Sequence, residues 1–246
     1  MEIIRTENLT KRFGGLVAVN NVDLVIEGKR LTSIIGPNGA GKTTFFNLLT
    51  GLMKPDVGKI HFMGEDITDY PPHKIAKQGI ARSFQILNLF NELTLFENVR
   101  IAVQAERGYG FEVLSSIRSL GEVNERSLEI IQDIGLNNKE NIPAKNLSYG
   151  DRRILEIGIA LASNPKLLLM DEPTSGLAGR ETGRMTDFIK NLAKGLTTVL
   201  IEHDMNIVLS ISEHIIVLHQ GKVIAEGTPD EIRQNDEVQE AYLGGL

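Results

Sequence analysis

Residues 36–44 read Gly36-Pro-Asn-Gly-Ala-Gly-Lys-Thr-Thr44 and match the pattern G-x-x-x-x-G-K-[ST] at every fixed position. The apolar run Leu31–Ile35 precedes this stretch and predicts a strand, and Phe45–Leu49 follows it and suits a helix. Strand, glycine-rich loop and helix form the context in which this motif cradles phosphate groups. Backbone N–H groups of the loop and the positive end of the helix attract phosphate oxygens. The stretch therefore predicts a nucleoside triphosphate site in an α/β fold.

The side chains of this loop predict how a triphosphate is held. Lys42 can reach the β- and γ-phosphates and stabilise the charge of the reaction, and the Thr43 hydroxyl can ligate Mg²⁺. A glycine-rich turn with a chance lysine is the alternative interpretation, and the flanking strand and helix count against it. The other loop positions for which we predict contact with the nucleotide are Asn38, Gly39, Ala40, Gly41 and Thr44.

A second motif supplies two acids. The strand-like run Leu167–Met170 ends in Asp171 and Glu172, and we expect this strand end to lie beside the phosphate loop. Asp171 would then hold Mg²⁺, directly or through water, and Glu172 would act as general base toward the attacking water. Two acids after a strand are common at solvated sheet edges, so this prediction depends on the glycine loop.

Length and composition limit the classes of protein to which the chain can belong. Its 246 residues carry a net charge of −6 and include no cysteine. Without a basic excess we expect no nucleic-acid partner, and without cysteine there is no disulfide, thiolate metal site or cysteine nucleophile. The first residues lack the basic start and apolar core of a signal peptide, and no apolar run approaches the ~20 residues of a membrane span. We therefore expect the chain to reach a membrane only through partners.

Strand-like runs dominate both ends of the chain. The runs Leu31–Ile35, Leu167–Met170 and Thr198–Ile201 are mostly apolar, as in central parallel strands that are covered on both faces. Runs nearer the termini alternate more, as in antiparallel edges, and we interpret Gly28 and Gly221 as parts of hairpin turns. The remaining strand-like runs are Glu2–Asn8, Val22–Ile26, Lys59–Phe62, Ile215–Leu218 and Val223–Ala225.

Helical periodicity replaces these signals in the middle of the chain. Leu95–Gln104 and Val123–Ile134 carry apolar residues at helical spacing, with Leu128 on the apolar stripe of the second run. We predict a single α/β domain, in which a P-loop NTPase core with a mixed, mainly parallel sheet and an antiparallel β edge carries an inserted α-helical subdomain. The predicted boundaries are residues 1–85 and 165–246 for the core, 86–164 for the helical subdomain and 1–246 for the whole domain.

A third motif, Leu147-Ser-Tyr-Gly-Asp151, precedes a stretch with a helical apolar stripe. Ser148 can cap this helix and Gly150 keeps its N-terminus approachable, so that the N-terminus can bind an anion. Because the glycine loop already serves the phosphates of one nucleotide, we expect this second site to meet the γ-phosphate of a nucleotide on another subunit. Taken alone, the motif favours an ordinary helix cap.

Taken together and in their order along the chain, the motifs of this sequence resemble those of the nucleotide-binding subunit of ABC transporters. The resemblance covers essentially the whole chain. The family implies a head-to-tail dimer in which two ATP molecules lie between the phosphate loop of one subunit and the signature loop of the other. It therefore implies ATP and Mg²⁺ as ligands and assigns Ser148, Tyr149 and Gly150 to the nucleotide of the second subunit. The motifs that carry the resemblance are Gly36–Thr44, Gln85, Leu147–Asp151, Leu167–Glu172, Ser175–Ala178 and His203.

The resemblance also implies roles for four residues that would not stand out alone. Phe13 lies where the family stacks an aromatic ring on adenine, and Val19 lies where a side chain touches that ring. Gln85 lies where a glutamine contacts Mg²⁺ and water and senses the membrane partner. His203 lies where a histidine contacts the γ-phosphate and orients Glu172. By themselves, Phe13 would suit a packed core, and Gln85 or His203 would suit an ordinary surface.

Further segments resemble one branch of the family, the LivG-type ATPases of branched-chain amino acid importers. Tyr149 fits this branch, which often has tyrosine where most ABC proteins have glycine. The branch implies two transmembrane permease subunits, a second ABC ATPase or a second copy of this chain, a solute-binding protein outside the membrane, and a peripheral location on the cytoplasmic face of the inner membrane. The segments concerned are Phe13–Val19, Phe84–Phe90, Leu93–Val99, Ile201–Met205, Gly227–Ile232 and Ala241–Gly244.

Three residues depart from the family pattern. Asp151 stands where glutamine or glutamate is usual, Ala178 where aspartate or asparagine is usual, and Gly158 where alanine is common. None of the three holds phosphate, metal or the attacking water in the family, so we expect an active ATPase. The property that these departures could alter is the coupling of ATP hydrolysis to transport.

Other systems with the same nucleotide chemistry stay open at this point. The ATPase of lipopolysaccharide extraction has a similar length and tail, although its signature usually keeps glycine at the position of Tyr149. A soluble ABC ATPase of iron–sulfur cluster assembly would need no membrane partner. A GTPase is disfavoured, since Asn138–Asn141 lacks the aspartate that pairs with guanine. The sequence also leaves open the transported solute, the choice between homodimer and heterodimer, and activity without partners.

Overall fold

The computed structural model describes residues 1–83, 89–107 and 117–243, without the side chains of residues 117–120 and 243. The strands in these residues are β1 Glu2–Phe13, β2 Leu16–Glu27, β3 Leu31–Ile35, β4 Val57–Phe62, β5 Glu65–Asp66, β6 Ile80–Ser83, β7 Leu167–Asp171, β8 Thr197–Ile201, β9 His214–His219 and β10 Lys222–Gly227. The helices are α1 Lys42–Leu49, α2 Pro72–Gln78, α3 Leu95–Glu106, α4 Ile117–Asp133, α5 Tyr149–Leu161, α6 Arg180–Ala193, α7 Met205–Ile211, α8 Pro229–Arg233 and α9 Asp236–Leu243. Within the described ranges, no helix is long and apolar enough to cross a bilayer.

A six-stranded sheet with the order β10-β9-β3-β8-β7-β6 forms the centre of the structure. β3 lies between β8 and β9 and runs parallel to both, and β7 runs parallel to β8. Every residue of β3, β7 and β8 is buried, which explains their predominantly apolar sequences. At one edge, β10 runs antiparallel to β9. The prediction of a mixed, mainly parallel sheet is confirmed.

A separate four-stranded antiparallel sheet has the order β2-β1-β4-β5. β1 and β2 each contain 12 residues, because residues beyond the predicted runs, buried at Leu9 and Val19 and exposed nearer the turn, continue both strands as far as Gly14 and Gly15. This sheet is the antiparallel β edge that the sequence predicts.

One of the two predicted hairpin turns is confirmed and the other is wrong. Gly221 lies in the turn that joins the antiparallel strands β9 and β10. Gly28 lies between β2 and β3, which belong to different sheets. A glycine allows the chain to turn, but burial decides which sheet the next strand joins. β3 is buried on both faces and pairs with β8 and β9 instead of β2.

The helix α1 is packed into the core between these strands. Phe45 and Phe46 are fully buried and share one apolar cluster with residues of both sheets, such as Ile4 and Leu169. Burying one such side chain contributes roughly 1.5–3 kcal/mol relative to leaving it exposed. This packing fixes α1, and with it the loop that leads into α1.

The described structure divides into two compact units. The first holds both sheets and draws on residues 1–82, 166–172 and 189–246, while the second draws on residues 83–165 and 173–188. The sequence-based boundaries assign residues 173–188 to the core, whereas the structure groups them with the helical unit. Contacts inside that unit explain the difference, among them the ion pair of Arg184 with Asp151.

Helices α3, α4 and α5 belong to the second unit. α3 begins with a capping box, in which the side chains of Thr94 and Glu97 each accept a hydrogen bond from the other residue's backbone. On α4, Val123 and Ile130 are buried, but Leu128 is 49% exposed. The assignment of Leu128 to the buried stripe is therefore wrong. A helix turns by about 100° per residue, which carries Leu128 outside the arc that Val123 and Ile130 occupy.

Packing explains why a glycine stands at position 158 in α5. A Cβ atom on Gly158 would lie 2.7 Å from Cδ1 and 3.3 Å from Cγ2 of Ile134, the residue that follows α4. The glycine allows this close approach, and the contact offsets a helix-propensity cost of about 1 kcal/mol relative to alanine.

Candidate nucleotide site

The phosphate loop connects the end of β3 to the start of α1, and two of its glycines approach other backbone segments closely. Gly36 has a φ of +149°, and a Cβ atom there would lie 2.0 Å from the carbonyl oxygen of Leu218. Gly41 has a φ of +103°, and a Cβ atom there would lie 2.2 Å from the carbonyl oxygen of Ala18. Neither position leaves room for a side chain, so both glycines are needed for this path of the loop.

The ammonium group of Lys42 is held inside the loop. The side chain is buried, and its Nζ donates hydrogen bonds to the carbonyl oxygens of Gly36 at 2.7 Å and Pro37 at 3.0 Å. Burial lowers the pKa of Lys42, and the charges of Glu172 and Asp171 oppose that shift. The lysine is thus preorganised at the loop, where phosphate oxygens can exchange for the two carbonyl groups.

The acids lie at the carboxyl end of β7, beside β8. Asp171 is the last residue of β7 and is buried. Glu172 follows with a φ of +50°, and its backbone N–H donates to the carbonyl oxygen of Ile201 at 2.9 Å. A left-handed conformation at a residue other than glycine costs on the order of 1–3 kcal/mol and clusters at functional sites. Together with the two acids, this conformation makes the strand end a candidate catalytic position.

The structure brings Glu172 and His203 together. His203 lies two residues after the end of β8, and its Nε2 is 2.5 Å from Oε1 of Glu172. Its backbone N–H also donates to the Glu202 carboxylate at 3.2 Å. The Glu172 side chain is 18% exposed and that of His203 is 41% exposed, so water can reach the pair from the histidine side. A carboxylate that a histidine orients in this way can act as a general base.

A cleft of about 340 Å³ joins these groups to an exposed apolar patch. At its apolar end, Phe13 is 46% exposed and Leu16 is 66% exposed. Lys11 Nζ lies 5.8 Å from the centroid of the Phe13 ring. Large apolar side chains rimmed by polar groups suit the flat face of a nucleobase. The residues that line the cleft are Phe13, Leu16, Ala18, Asn38, Gly39, Ala40, Gly41, Lys42, Thr43, Thr44, Glu172 and His203.

The structure places Val19 away from this cleft. Its side chain is 2% exposed and belongs to the core cluster. Leu16 and Ala18 line the cleft in its place, and neither is among the residues for which the sequence predicts contact with the nucleotide. Successive side chains of a strand point to opposite faces, so that Ala18 and Val19 cannot face the same side of β2. This alternation was the signal that could have separated them.

The oxygen donors at this site fit Mg²⁺. Thr43 lies in the first turn of α1 with an exposed side chain, and Asp171 ends β7. Mg²⁺ prefers hard oxygen ligands and is usually held by one or two protein groups together with phosphate oxygens and water. The described residues contain no cluster of three acidic, histidine or cysteine side chains that could hold a metal. Gln85 lies outside the described residues.

The signature motif Leu147–Asp151 lies in the second compact unit and opens α5. Ser148 Oγ accepts a hydrogen bond from the backbone N–H of Asp151 at 3.2 Å, so the serine does cap the helix. Tyr149 contacts the segment after the acids, with its hydroxyl 3.4 Å from the carbonyl oxygen of Ser175. Arg153 in turn donates to the Tyr149 hydroxyl at 2.8 Å. The tyrosine therefore links the start of α5 to the loop that leads into α6.

Asp151 is a buried acid at the centre of an ion-pair network in the same unit. Its carboxylate is 4% exposed and accepts hydrogen bonds from Lys139 Nζ at 2.5 Å and from Arg184 Nη1 at 2.6 Å. Burial raises the pKa of Asp151, but the hydrogen bonds from Lys139 and Arg184 outweigh it and lower the pKa overall. The shorter acid at this position thus joins α5, the loop before it and α6.

The chain matches two protein-family models, and it is similar to known proteins over nearly its whole length. The model described as "ABC transporter" matches residues 19–175, and the model described as "Branched-chain amino acid ATP-binding cassette transporter" matches residues 222–245. The chain is 43% identical to the high-affinity branched-chain amino acid transport ATP-binding protein BraF of Pseudomonas aeruginosa, with 98% of each chain covered. It is 41% identical to the protein LivG of Escherichia coli, which bears the same description, again with 98% of each chain covered.

Solved structures agree with this similarity. An ATP-binding cassette of an ABC transporter, crystallised in its ADP conformation, superposes with a TM-score of 0.87 at 32% identity and covers 99% of both chains. A cassette solved as a dimer in a post-hydrolysis state with ADP and phosphate gives a TM-score of 0.76 at 30% identity, covering 92% of this chain and 99% of that one. The chain therefore belongs to the ABC transporter family, among its LivG- and BraF-type ATP-binding proteins.

Proposed function

We propose that this chain is the ATP-hydrolysing subunit of an importer for branched-chain amino acids. The observation that carries the proposal is the Glu172–His203 pair, which lies 2.5 Å apart in the cleft that the phosphate loop lines. The names of the relatives at 41–43% identity support the choice of solute. The reaction is ATP and water to ADP and phosphate.

The residues of the cleft divide the chemistry among them. Glu172 takes a proton from the attacking water, and His203 holds the carboxylate in place for that transfer. Lys42 stabilises the negative charge that builds up on the phosphate oxygens. Thr43 and Asp171, with the contribution that the family assigns to Gln85, would hold Mg²⁺, which would neutralise further phosphate charge. Phe13 and Leu16 hold the base.

We propose that the working form is a head-to-tail dimer. In it, Ser148, Tyr149 and Gly150 of one subunit meet the γ-phosphate bound to the other, and closure of the dimer links ATP binding to motion. The partner is a second, related ATPase or a second copy of this chain, and we favour the former. Two permease subunits anchor the dimer at the cytoplasmic face of the inner membrane, and a solute-binding protein delivers the amino acid from outside.

A native pull-down tests this proposal. Tagged protein is recovered from detergent-solubilised membranes, and its companions are identified by mass spectrometry. We expect two multi-span permeases and a second small ATPase, and we expect cells that lack this chain to lose ATP-dependent leucine uptake. Recovery with soluble partners alone, and absence from the membrane fraction, would contradict the importer while leaving the nucleotide chemistry in place.

A further inference from the structure

Arg82 is a buried cation in β6, the edge strand of the central sheet next to β7. Its side chain is 7% exposed, and its Nη2 donates to Oδ2 of Asp171 at 2.7 Å. Its Nη1 donates to Oδ1 of Asn47, on α1, at 2.6 Å. The guanidinium lies 5.6 Å from the centroid of the Phe46 ring. One side chain therefore connects β6, the acid at the end of β7 and the helix that follows the phosphate loop.

This arrangement fixes the orientation of the Asp171 carboxylate. A guanidinium is a rigid planar fork, so anchoring one nitrogen on Asn47 and stacking the group near Phe46 determines where the other nitrogen can donate. With Oδ2 held by Arg82, the carboxylate cannot rotate freely and Oδ1 is the oxygen that can face a metal or its water. A buried ion pair of this kind adds little to stability, but removing one partner leaves an uncompensated buried charge.

We propose that Arg82 is a positioning residue for the metal ligand Asp171, a role that rests on the proposed ATPase function. Arg82 touches no reacting atom and acts through the carboxylate that it holds. It also lies three positions before Gln85 in the sequence. Through this side chain, the strand that leads into the expected permease-sensing glutamine is tied directly to the metal site.

The test measures the Mg²⁺ dependence of nucleotide binding and of hydrolysis in two variants. Arg82→Lys keeps the charge but loses the fork, and Asn47→Ala removes the second anchor without touching Asp171. The first readout is the rise in melting temperature caused by ATP, measured across a Mg²⁺ titration and in EDTA. The second is the Mg²⁺ concentration that half-saturates ATP hydrolysis. Lys54→Gln, which breaks an exposed ion pair with Asp69, is the matched control.

Loss of an outer-shell partner typically weakens metal binding by about 10- to 100-fold. We expect Arg82→Lys to need about tenfold more Mg²⁺ in both readouts. Asn47→Ala should also need more Mg²⁺, but by a smaller factor, and Lys54→Gln should match the unmodified protein. Stabilisation by ATP in EDTA should be unchanged in all three. The melting readout tests the proposal even if the isolated chain hydrolyses no ATP.

A purely structural role for Arg82 gives a different result. In that case the substitutions lower the melting temperature, but the Mg²⁺ concentration at the midpoint of each titration does not change. This outcome overturns the proposal. If Arg82→Lys does not fold, an unshifted midpoint in Asn47→Ala overturns it as well. Absence of any Mg²⁺-dependent stabilisation in the unmodified protein removes the metal role of Asp171, and the role of Arg82 with it.

Discussion

Glu172 has a left-handed backbone conformation and contacts His203 directly. Substituting this residue tests whether it acts as the general base. Glu172→Gln keeps the size of the side chain but cannot accept the proton of water. We expect the turnover rate to fall by about 10²- to 10⁴-fold while ATP affinity stays within a few-fold. Steady-state hydrolysis and a separate ATP-binding titration measure the two effects. Glu129→Gln, at an exposed acid on α4, should change neither. Equal turnover in Glu172→Gln and the unmodified protein would contradict the assignment.

Tyr242 shows that the C-terminal helix reaches the phosphate loop. Its ring packs on the cluster that contains Ile35, and its hydroxyl lies near the backbone of Gly36. Burial raises the pKa of Tyr242 to about 12, and the Gly36 contact opposes the rise, so the hydroxyl stays neutral at physiological pH.

Tyr242→Phe keeps the ring and removes the hydroxyl that lies near the backbone of Gly36. Because this contact helps to hold the phosphate loop, and a polar contact contributes about 1 kcal/mol, we expect ATP affinity to fall by roughly fivefold with turnover at saturating ATP unchanged. ATP titrations compare it with Tyr70→Phe, which removes an exposed hydroxyl bonded to Glu65. A shift in turnover without a shift in affinity would refute this account.

Among the secondary-structure elements, the ion pairs that Asp151 forms at the start of α5 let us predict how the stability of the protein depends on pH. Asp151→Asn loses the charge that pairs with Lys139 and Arg184. Because both cations are about 40% exposed, we expect a loss of only about 1–2 kcal/mol at pH 7, or a few degrees in melting temperature. Since the folded-state pKa of Asp151 is lowered, its contribution is present above about pH 4 and is lost as pH falls through the folded pKa.

Thermal melts of the Asp151→Asn variant from pH 3 to 8 check this sign. The difference from the unmodified protein should be largest near neutrality and should narrow in acid. Asp69→Asn, at an exposed pair, should show almost no difference at any pH. A difference that stays constant down to pH 3 would mean that packing, and not charge, carries the effect.

The elements show how far the sequence could predict the structure. Mostly apolar runs predict β3, β7 and β8 because these strands are buried on both faces, and the phosphate loop follows from its own residues. Helical geometry places Leu128 outside the arc of Val123 and Ile130, whereas the prediction for Gly28 is wrong because the sheet that a strand joins depends on partners distant in sequence. Arg82 was missed for the same reason, since Asp171 lies 89 positions away. Strand alternation predicts that Ala18 and Val19 face opposite sides of β2, and the packing of the core decides which of the two faces the cleft.

At the scale of the whole molecule, the residues of the proposed reaction belong to two compact units. Lys42, Asp171 and Glu172 belong to the first, and Ser148 and Gly150 belong to the second. A head-to-tail dimer would combine the first unit of one subunit with the second unit of the other. If each subunit instead formed a complete site by itself, mixing two inactive variants would restore no activity.

Mixing two inactive variants separates these models. Lys42→Ala disables the phosphate loop, and Ser148→Asp keeps a capping side chain on α5 while it places a negative charge where the γ-phosphate is expected. In a mixed dimer, the intact phosphate loop of the Ser148→Asp subunit meets the intact signature loop of the Lys42→Ala subunit. If two copies of this chain form the dimer and its sites act independently, an equal mixture should recover about a quarter of the unmodified rate.

Two comparisons make this mixing experiment decisive. Ser148→Asn keeps the cap without the charge and should retain most of the activity, so that a loss confined to Ser148→Asp reports repulsion of phosphate and not a damaged helix. The same mixture with Glu172→Gln in the Ser148→Asp subunit should stay inactive, because it destroys the one complete site. If the unmodified chain hydrolyses ATP alone and the mixture of Lys42→Ala with Ser148→Asp remains as inactive as either variant, each subunit supplies its own signature loop and the head-to-tail dimer is excluded.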